Sequence, residues 1–196
     1  GSSQGRRWIN GEDVRLGQTL VEKILSEKMG RDVQAGETIV TGVDFAALHD
    51  GSGPLLVRLM NERGYAKLPA FDPQKVLFAN EFGPVPTREI ANEHALTRKY
   101  ANGHQCHWEE GGTGHVHAHI YENHLRCGSV CIVGDSHTTV HGAFGCFATG
   151  CGSTDMVAVI LFGKIWLRVP ETFRINVFGE LAEGVYSKGI MLQLAN

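Results

Sequence analysis

The chain has 196 residues, 42% of them hydrophobic and 20% charged, which is enough apolar material for one compact α/β domain and too little length for a second of ordinary size. Its net charge of -3 supplies no basic surface to neutralise phosphates, which excludes nucleic acid as the expected partner and leaves small molecules. No apolar run approaches the roughly 20 residues of a membrane span, and the opening GSSQGRRWINGED lacks a signal-peptide core, so no membrane contact and a cytoplasmic location are expected.

Residues 1–16 read as an N-terminal extension, with Gly1-Ser2-Ser3 as an expression scar, and residues 17–196 as a single domain. The spacing Thr19-Leu20-Val21-Glu22 predicts a capping box. Leu20, Val21, Ile24, Leu25 and Met29 then recur at helical intervals up to Gly30. Thr38 to Phe45 is rich in β-branched residues and predicts one buried strand. It leads into the loop His49-Asp50-Gly51-Ser52-Gly53-Pro54. Pro54 suits the first turn of a helix with Leu55, Leu56, Leu59 and Met60 on its core face and Gly64 as its stop. Asp72-Pro73 turns the chain into a short strand, Val76 to Ala79, and Thr87 opens a helix to about Ala101. Glycines and histidines leave Gly103 to Asn123 without a period. Val130 to Val133 predicts a strand ending just before Asp135. Ser153-Thr154-Asp155 is expected to cap an apolar helix running to about Trp166. A strand from Phe173 to Phe178 and a helix near Ser187 to Leu194 complete the pattern. The alternation argues for a three-layer α/β/α domain with a largely parallel sheet, whose functional loops leave the carboxyl ends of strands.

Two such loops carry chemistry: His49, Asp50 and Ser52 in one, Asp135, Ser136 and His137 in the other. Carboxylate, hydroxyl and imidazole side by side supply an acid or base, a neutral hydrogen-bond donor and an orienting anion, a set that suits a polyanionic substrate. An Asx turn capping the next segment would use the same residues without function. His115, His117 and His119 would share one face of a strand and could hold zinc. An all-β metal enzyme of that kind conflicts with the four helix starts at Thr19, Pro54, Thr87 and Thr154. Gly142 to Gly152 lacks the register of a dinucleotide loop, and close packing of a helix start on the sheet is the expected reason for its glycines. The five cysteines, Cys106, Cys127, Cys131, Cys146 and Cys151, are odd in number and read as reduced, buried small side chains rather than a disulfide framework.

The run GDSHTTVHGAFGCFATGCGSTDM at 134–156 closely resembles the segment after the core strand in aconitases and in the large subunit of 3-isopropylmalate dehydratase. HDGSGP at 49–54, GTGHVHAHIYEN at 112–123 and VPETFRINVFGEL at 169–181 extend the likeness in the same order. The resemblance implies the N-terminal domain of the aconitase type and a hydro-lyase acting on a 2-hydroxy di- or tricarboxylic acid such as isopropylmalate, homocitrate or citrate. Carried over position by position, it makes His117 the imidazole at the reacting hydroxyl and Asp135 its carboxylate partner. It places Ser136 on a substrate carboxylate and His137 beside an iron-sulfur cluster, with Asp50 and Ser52 as further substrate contacts.

Two departures stand out. The family's Asp-His pair after the Val76 to Ala79 strand falls on Asn80-Glu81 or Phe82-Gly83, leaving Glu81 as a possible replacement acid. The three cysteines that ligate the family's [4Fe-4S] cluster, the serine base and the substrate-binding arginines belong to later domains. No metal or cluster is therefore expected on this chain by itself, and the remaining domains or a small subunit are its expected partners. Three explanations of the chain stay open: a piece of a longer dehydratase, a split subunit or a free-standing domain. The alternatives to a hydro-lyase component are a non-catalytic domain with a carboxylate-binding or assembly role, and a histidine-rich metal-binding protein.

Overall fold

The computed structural model describes residues 6–9, 12–15 and 17–195; the Gly1-Ser2-Ser3 reading lies outside them. Within the proposed extension, β1 (Arg6–Ile9) and β2 (Glu12–Arg15) pair antiparallel. In α1 (Leu20–Met29) the capping box is complete: Glu22 N donates to Thr19 Oγ1 at 3.2 Å, and Glu22 Oε2 accepts from Thr19 N at 2.8 Å. The helix stops at Gly30, whose φ of 63° is left-handed.

The segment expected to be one strand from Thr38 to Phe45 is two. β3 (Thr38–Gly42) pairs antiparallel with a late strand, whereas β4 (Phe45–Leu48) enters the main sheet. The alternating burial of β3 and the continuous burial of β4 report the two environments. α2 (Gly53–Glu62) begins on Pro54, with Gly64 just past its end at φ 72°. β5 (Val76–Ala79) and α3 (Arg88–Gly103, capped by Thr87) follow as expected.

The region without a period contains β6 (His107–Glu109) and α4 (Val116–Asn123). His115 caps that helix, so His115, His117 and His119 do not share a strand face, and among the described residues no group of three metal-binding side chains is assembled. After β7 (Val130–Val133), a 3-10 helix spans Ser136–Phe144 and β8 (Phe147–Gly150) follows. The glycine-rich stretch thus includes a sheet strand as well as a helix start. α5 (Ser153–Phe162) takes Gly152 as its N-cap with no side-chain cap bond, in place of the expected Ser153-Thr154-Asp155 cap. It ends at Gly163, φ 61°, short of Trp166, and β9 (Lys164–Arg168) turns back to pair with β3. No strand forms at 173–178; α6 (Ser187–Ala195) closes the described chain.

The main sheet is parallel in the order β6-β5-β4-β7-β8. Side chains alternate across it. Ala46, Leu48, Val76, Phe78, Val130 and Ile132 pack with α1, α2, α3 and α5, whereas Phe45, Ala47, Leu77, Ala79, Cys131 and Val133 pack under Val116 and Ile120 of α4. This is the three-layer architecture expected from the sequence. The chain moves outward from β4 through β5 to β6, then returns to β4's other side with β7. The crevice at the carboxyl ends of β4 and β7 is therefore the switch point, where ligand sites form in open α/β sheets.

Candidate active site

Asp135 sits at that switch point, directly after β7. Its Oδ1 accepts from His117 Nε2 at 2.8 Å and from the backbone N–H of His137 at 2.7 Å, and lies 3.2 Å from His137 Nδ1. His49, at the end of β4, brings Nε2 to 3.4 Å from Asp135 Oδ2. One carboxylate thus gathers three imidazoles from two strand ends and one helix start. Burial works against its charge, but the hydrogen bonds from His117 and the His137 backbone and the nearby His49 outweigh it and hold the carboxyl down at about 2. Asp135 is an anion at any pH near neutrality.

His117 is buried, and its second nitrogen, Nδ1, lies 3.1 Å from Nε2 of fully buried His141. Burial, with His117 beside it, pushes His141 down to about 4, so His141 is neutral. The tautomers follow from donor and acceptor rules. A carboxylate only accepts, so His117 carries its proton on Nε2. In the neutral ring Nδ1 is then bare and accepts the Nε2 proton of His141. The chain of donors runs His141 to His117 to Asp135. His141 Nδ1 has no partner among the described residues.

Asp50 is tied to the protein. Its Oδ2 accepts from the backbone N–H of Glu81 at 2.7 Å and of Phe82 at 3.3 Å, while Oδ1 lies 2.8 Å from Nε2 of buried His94. Asp50 therefore anchors the loop after β5. Ser52 is buried and its Oγ accepts from His49 N at 3.1 Å, which fixes the turn that presents the His49 ring. Gly134 lets the two loops touch, since a Cβ there would stand 2.7 Å from Ser52 Oγ. Glu81 Oε1 accepts from Val116 N at 2.7 Å and lies 3.4 Å from His115 Nδ1, so this carboxylate sits on the N-terminus of α4. Asn80 is buried with neither side-chain polar atom partnered among the described residues.

An open pocket of about 840 Å3 lies over these groups. His115, His117, Ser136 and His137 line one side, and Tyr121, Val140 and Ala143 supply an apolar wall. Tyr121 stacks on Phe144 at 4.7 Å, which stiffens that wall. His137 is 81% exposed at the side chain, and only its Nδ1 is engaged. His119 points instead to Thr113 Oγ1 at 3.2 Å. A second hollow, about 600 Å3, opens at the other end of the sheet around Asp44, His124 and Arg126. It lies away from the imidazole cluster.

The structure thus brings together His117, Asp135, Ser136 and His137, and ties Asp50 and Ser52 into loop anchoring. Sequence reasoning missed His49's contact with Asp135, His141 and His94. A signal existed for His94: it lies on the stripe His94, Thr97 and Ala101, the buried face of α3. For His141, four residues after His137, the sequence offered no such period.

Gly150, at the end of β8, backs this constellation, because a Cβ there would run into the Asp135 carbonyl oxygen. The Gly150→Ala variant is expected to lose about 1–3 kcal/mol of stability, as small-to-large changes in tight packing do. Denaturant unfolding against wild type measures this. An unchanged midpoint would show that the Asp135 loop moves freely.

A sequence model of the aconitase family (aconitate hydratase) matches residues 22–196. The chain belongs to the aconitase family. Among relatives, 3-isopropylmalate dehydratase large subunit 1 of Methanopyrus kandleri is 42% identical over 183 residues, covering 91% of this chain and 43% of that protein. The large subunit of Elusimicrobium minutum is 40% identical over 177 residues, 90% of this chain and 42% of that one. Large subunit 1 of Thermotoga maritima is 37% identical over 180 residues, 92% and 43%. The aconitase-family chain therefore spans less than half the length of these curated relatives. Among its described residues no helix is long and apolar enough to cross a membrane.

Proposed function

We propose that the chain is the N-terminal domain of a hydro-lyase acting on a 2-hydroxy di- or tricarboxylic acid, with 3-isopropylmalate the leading candidate and the rest of the enzyme, including a small subunit, as partner. The observation that carries this reading is the Asp135 carboxylate shared by His49, His117 and His137 beside an open pocket. Dehydration requires that a departing hydroxide be protonated. Asp135 stays ionised and orients the imidazoles around it. His137 is anchored through Nδ1, and its Nε2 has no protein partner among the described residues, so that atom is the one free to exchange a proton with a substrate in the pocket. His117, locked between Asp135 and His141, fixes the orientation of the cluster. Ser136, exposed at the pocket edge, is placed to donate to a substrate carboxylate.

Family members use a [4Fe-4S] cluster as Lewis acid, and a cluster site requires several convergent thiolates. The residues present do not fit one. No trio of metal-binding side chains converges among the described residues. Burial raises the Cys106 thiol to about 11 and Cys151 to about 12, and also raises Cys131 and Cys146. Cluster ligands would come from polypeptide outside this chain, and no step here is routed through them.

The test is a dehydration assay of the complete enzyme with 3-isopropylmalate, homocitrate and citrate, following the unsaturated product by ultraviolet absorbance. Turnover of one of them is expected; a fully assembled enzyme inert to all three overturns the proposal. One observation favours a non-catalytic carboxylate-binding domain instead: Glu81, the possible replacement for the family's Asp-His pair, is committed to capping α4. That second reading predicts calorimetric binding of a dicarboxylate without turnover.

A further inference from the structure

The ends of the segment that carries Asp135, Ser136, His137 and His141 meet at two thiols. Gly128 N donates to Gly145 O at 2.9 Å, and Phe147 N donates to Ser129 O at 2.9 Å, extending the β7–β8 pairing backwards. Cys127 and Cys146 are brought together there. Cys127 Sγ lies 3.7 Å from the carbonyl oxygen of Gly145, the residue before Cys146. Cys146 Sγ lies 3.2 Å from the carbonyl oxygen of Arg126, the residue before Cys127. Each thiol thus reaches across to the backbone that carries the other.

Gly145 makes the approach possible. It has a φ of 74°, and a Cβ on it would stand 2.7 Å from Cys127 Sγ and 4.0 Å from Cys127 Cα. The thiol occupies the space a side chain at 145 would fill. Cys127 is exposed, and Cys146 is buried. Burial keeps the Cys146 thiol protonated. The exposed partner is therefore the attacking sulfur, because the accessible group reaches oxidant first, and the buried one resolves. Cys131 is buried in the sheet among the residues under α4, and Cys106 is buried elsewhere in the core.

We propose that Cys127 and Cys146 form a reversible disulfide, a modification site that staples together both ends of the segment bearing the Asp135 cluster. With peroxide as oxidant, Cys127 sulfur attacks one peroxide oxygen, the O–O bond breaks, and a sulfenic acid and one water result. Cys146 sulfur then attacks the Cys127 sulfur, the S–O bond breaks, and the hydroxide leaves as a second water with the Cys146 proton. Two thiols are oxidised by two electrons and one peroxide is reduced to two waters. A dithiol reverses the bond by exchange.

The experiment is peroxide treatment of the reduced, purified chain, followed by alkylation, intact mass and chymotryptic mapping without reductant. Cleavage after Phe144 separates the two cysteines. The expected product is two hydrogens lighter and keeps three alkylatable thiols of the five present. It links the peptide ending at Phe144 to the peptide carrying Cys146, and dithiothreitol restores the starting mass. The link should vanish in Cys127→Ser and in Cys146→Ser and persist in Cys131→Ser. Five alkylatable thiols after oxidation, a Cys127 sulfinic acid without the linked pair, or a link that survives Cys127→Ser would each overturn the assignment. Because the readout is mass, the result is independent of whether the enzyme dehydrates any hydroxy acid.

Discussion

Turnover by the complete enzyme is expected to fall about a thousandfold in Asp135→Asn, within the range by which positioned proton transfer accelerates reactions. Asparagine keeps the shape and can still accept from His117, but it removes the anion that three imidazoles share. Without that charge, His117 and His137 lose the charge-assisted hydrogen bonds that orient their rings. The measurement is kcat with the substrate identified by the dehydration assay. A loss smaller than about threefold, or roughly 0.7 kcal/mol in barrier, would mean that Asp135 only shapes the loop.

The same variant has a stability signature with a definite sign. Asp135 titrates at about 2 in the folded chain, below the ordinary carboxylate value of 3.8. A depressed folded value means stability that is fully present above the unfolded value and is lost as pH falls through the folded one. Wild type should therefore shed this contribution between about pH 4 and pH 2, and Asp135→Asn should lack that loss.

How much of this was legible in the sequence depended on whether the determining contact was local. The Thr19–Glu22 box and the Gly30 stop were legible because four neighbouring residues complete them. The Asp135–His117 contact was legible only through family resemblance, since 18 residues separate the pair. Boundaries failed where a neighbour decided them. Ser153 to Trp166 is one apolar run in sequence, but Gly163 adopts a left-handed φ and Lys164–Arg168 finds β3 to pair with. The alternation of Phe173, Ile175 and Val177 is a real strand pattern. Those side chains stand exposed, and a strand without a partner has no ladder to stabilise it. Around His115 the alternation of histidines concealed the fourfold spacing of Val116 and Ile120, the residues that bury α4.

His141 supplies the other large effect. In His141→Leu the buried Nδ1 of His117 loses its donor, which should cost about 1–3 kcal/mol of stability and, where the lost orientation enters the barrier, about tenfold in kcat for each 1.4 kcal/mol. His141→Gln can place an amide N–H toward His117 and should recover most of both. The acid behaviour separates a positioning role from simple packing. His141 titrates at about 4 in the folded chain, below the ordinary histidine value of about 6.5. On unfolding it gains a proton in the interval between them, so its contribution is intact above about pH 6.5 and is lost as pH falls through about 4. Wild-type stability, followed by urea unfolding at stepped pH, should decline first across that interval and again below about pH 4 as Asp135 titrates. In His141→Gln the upper decline should shrink to the smaller part that His124, also lowered by burial, contributes, while the lower one remains. If it persists undiminished, His141 is not responsible, and the donor chain from His141 through His117 to Asp135 is not the element that acid breaks.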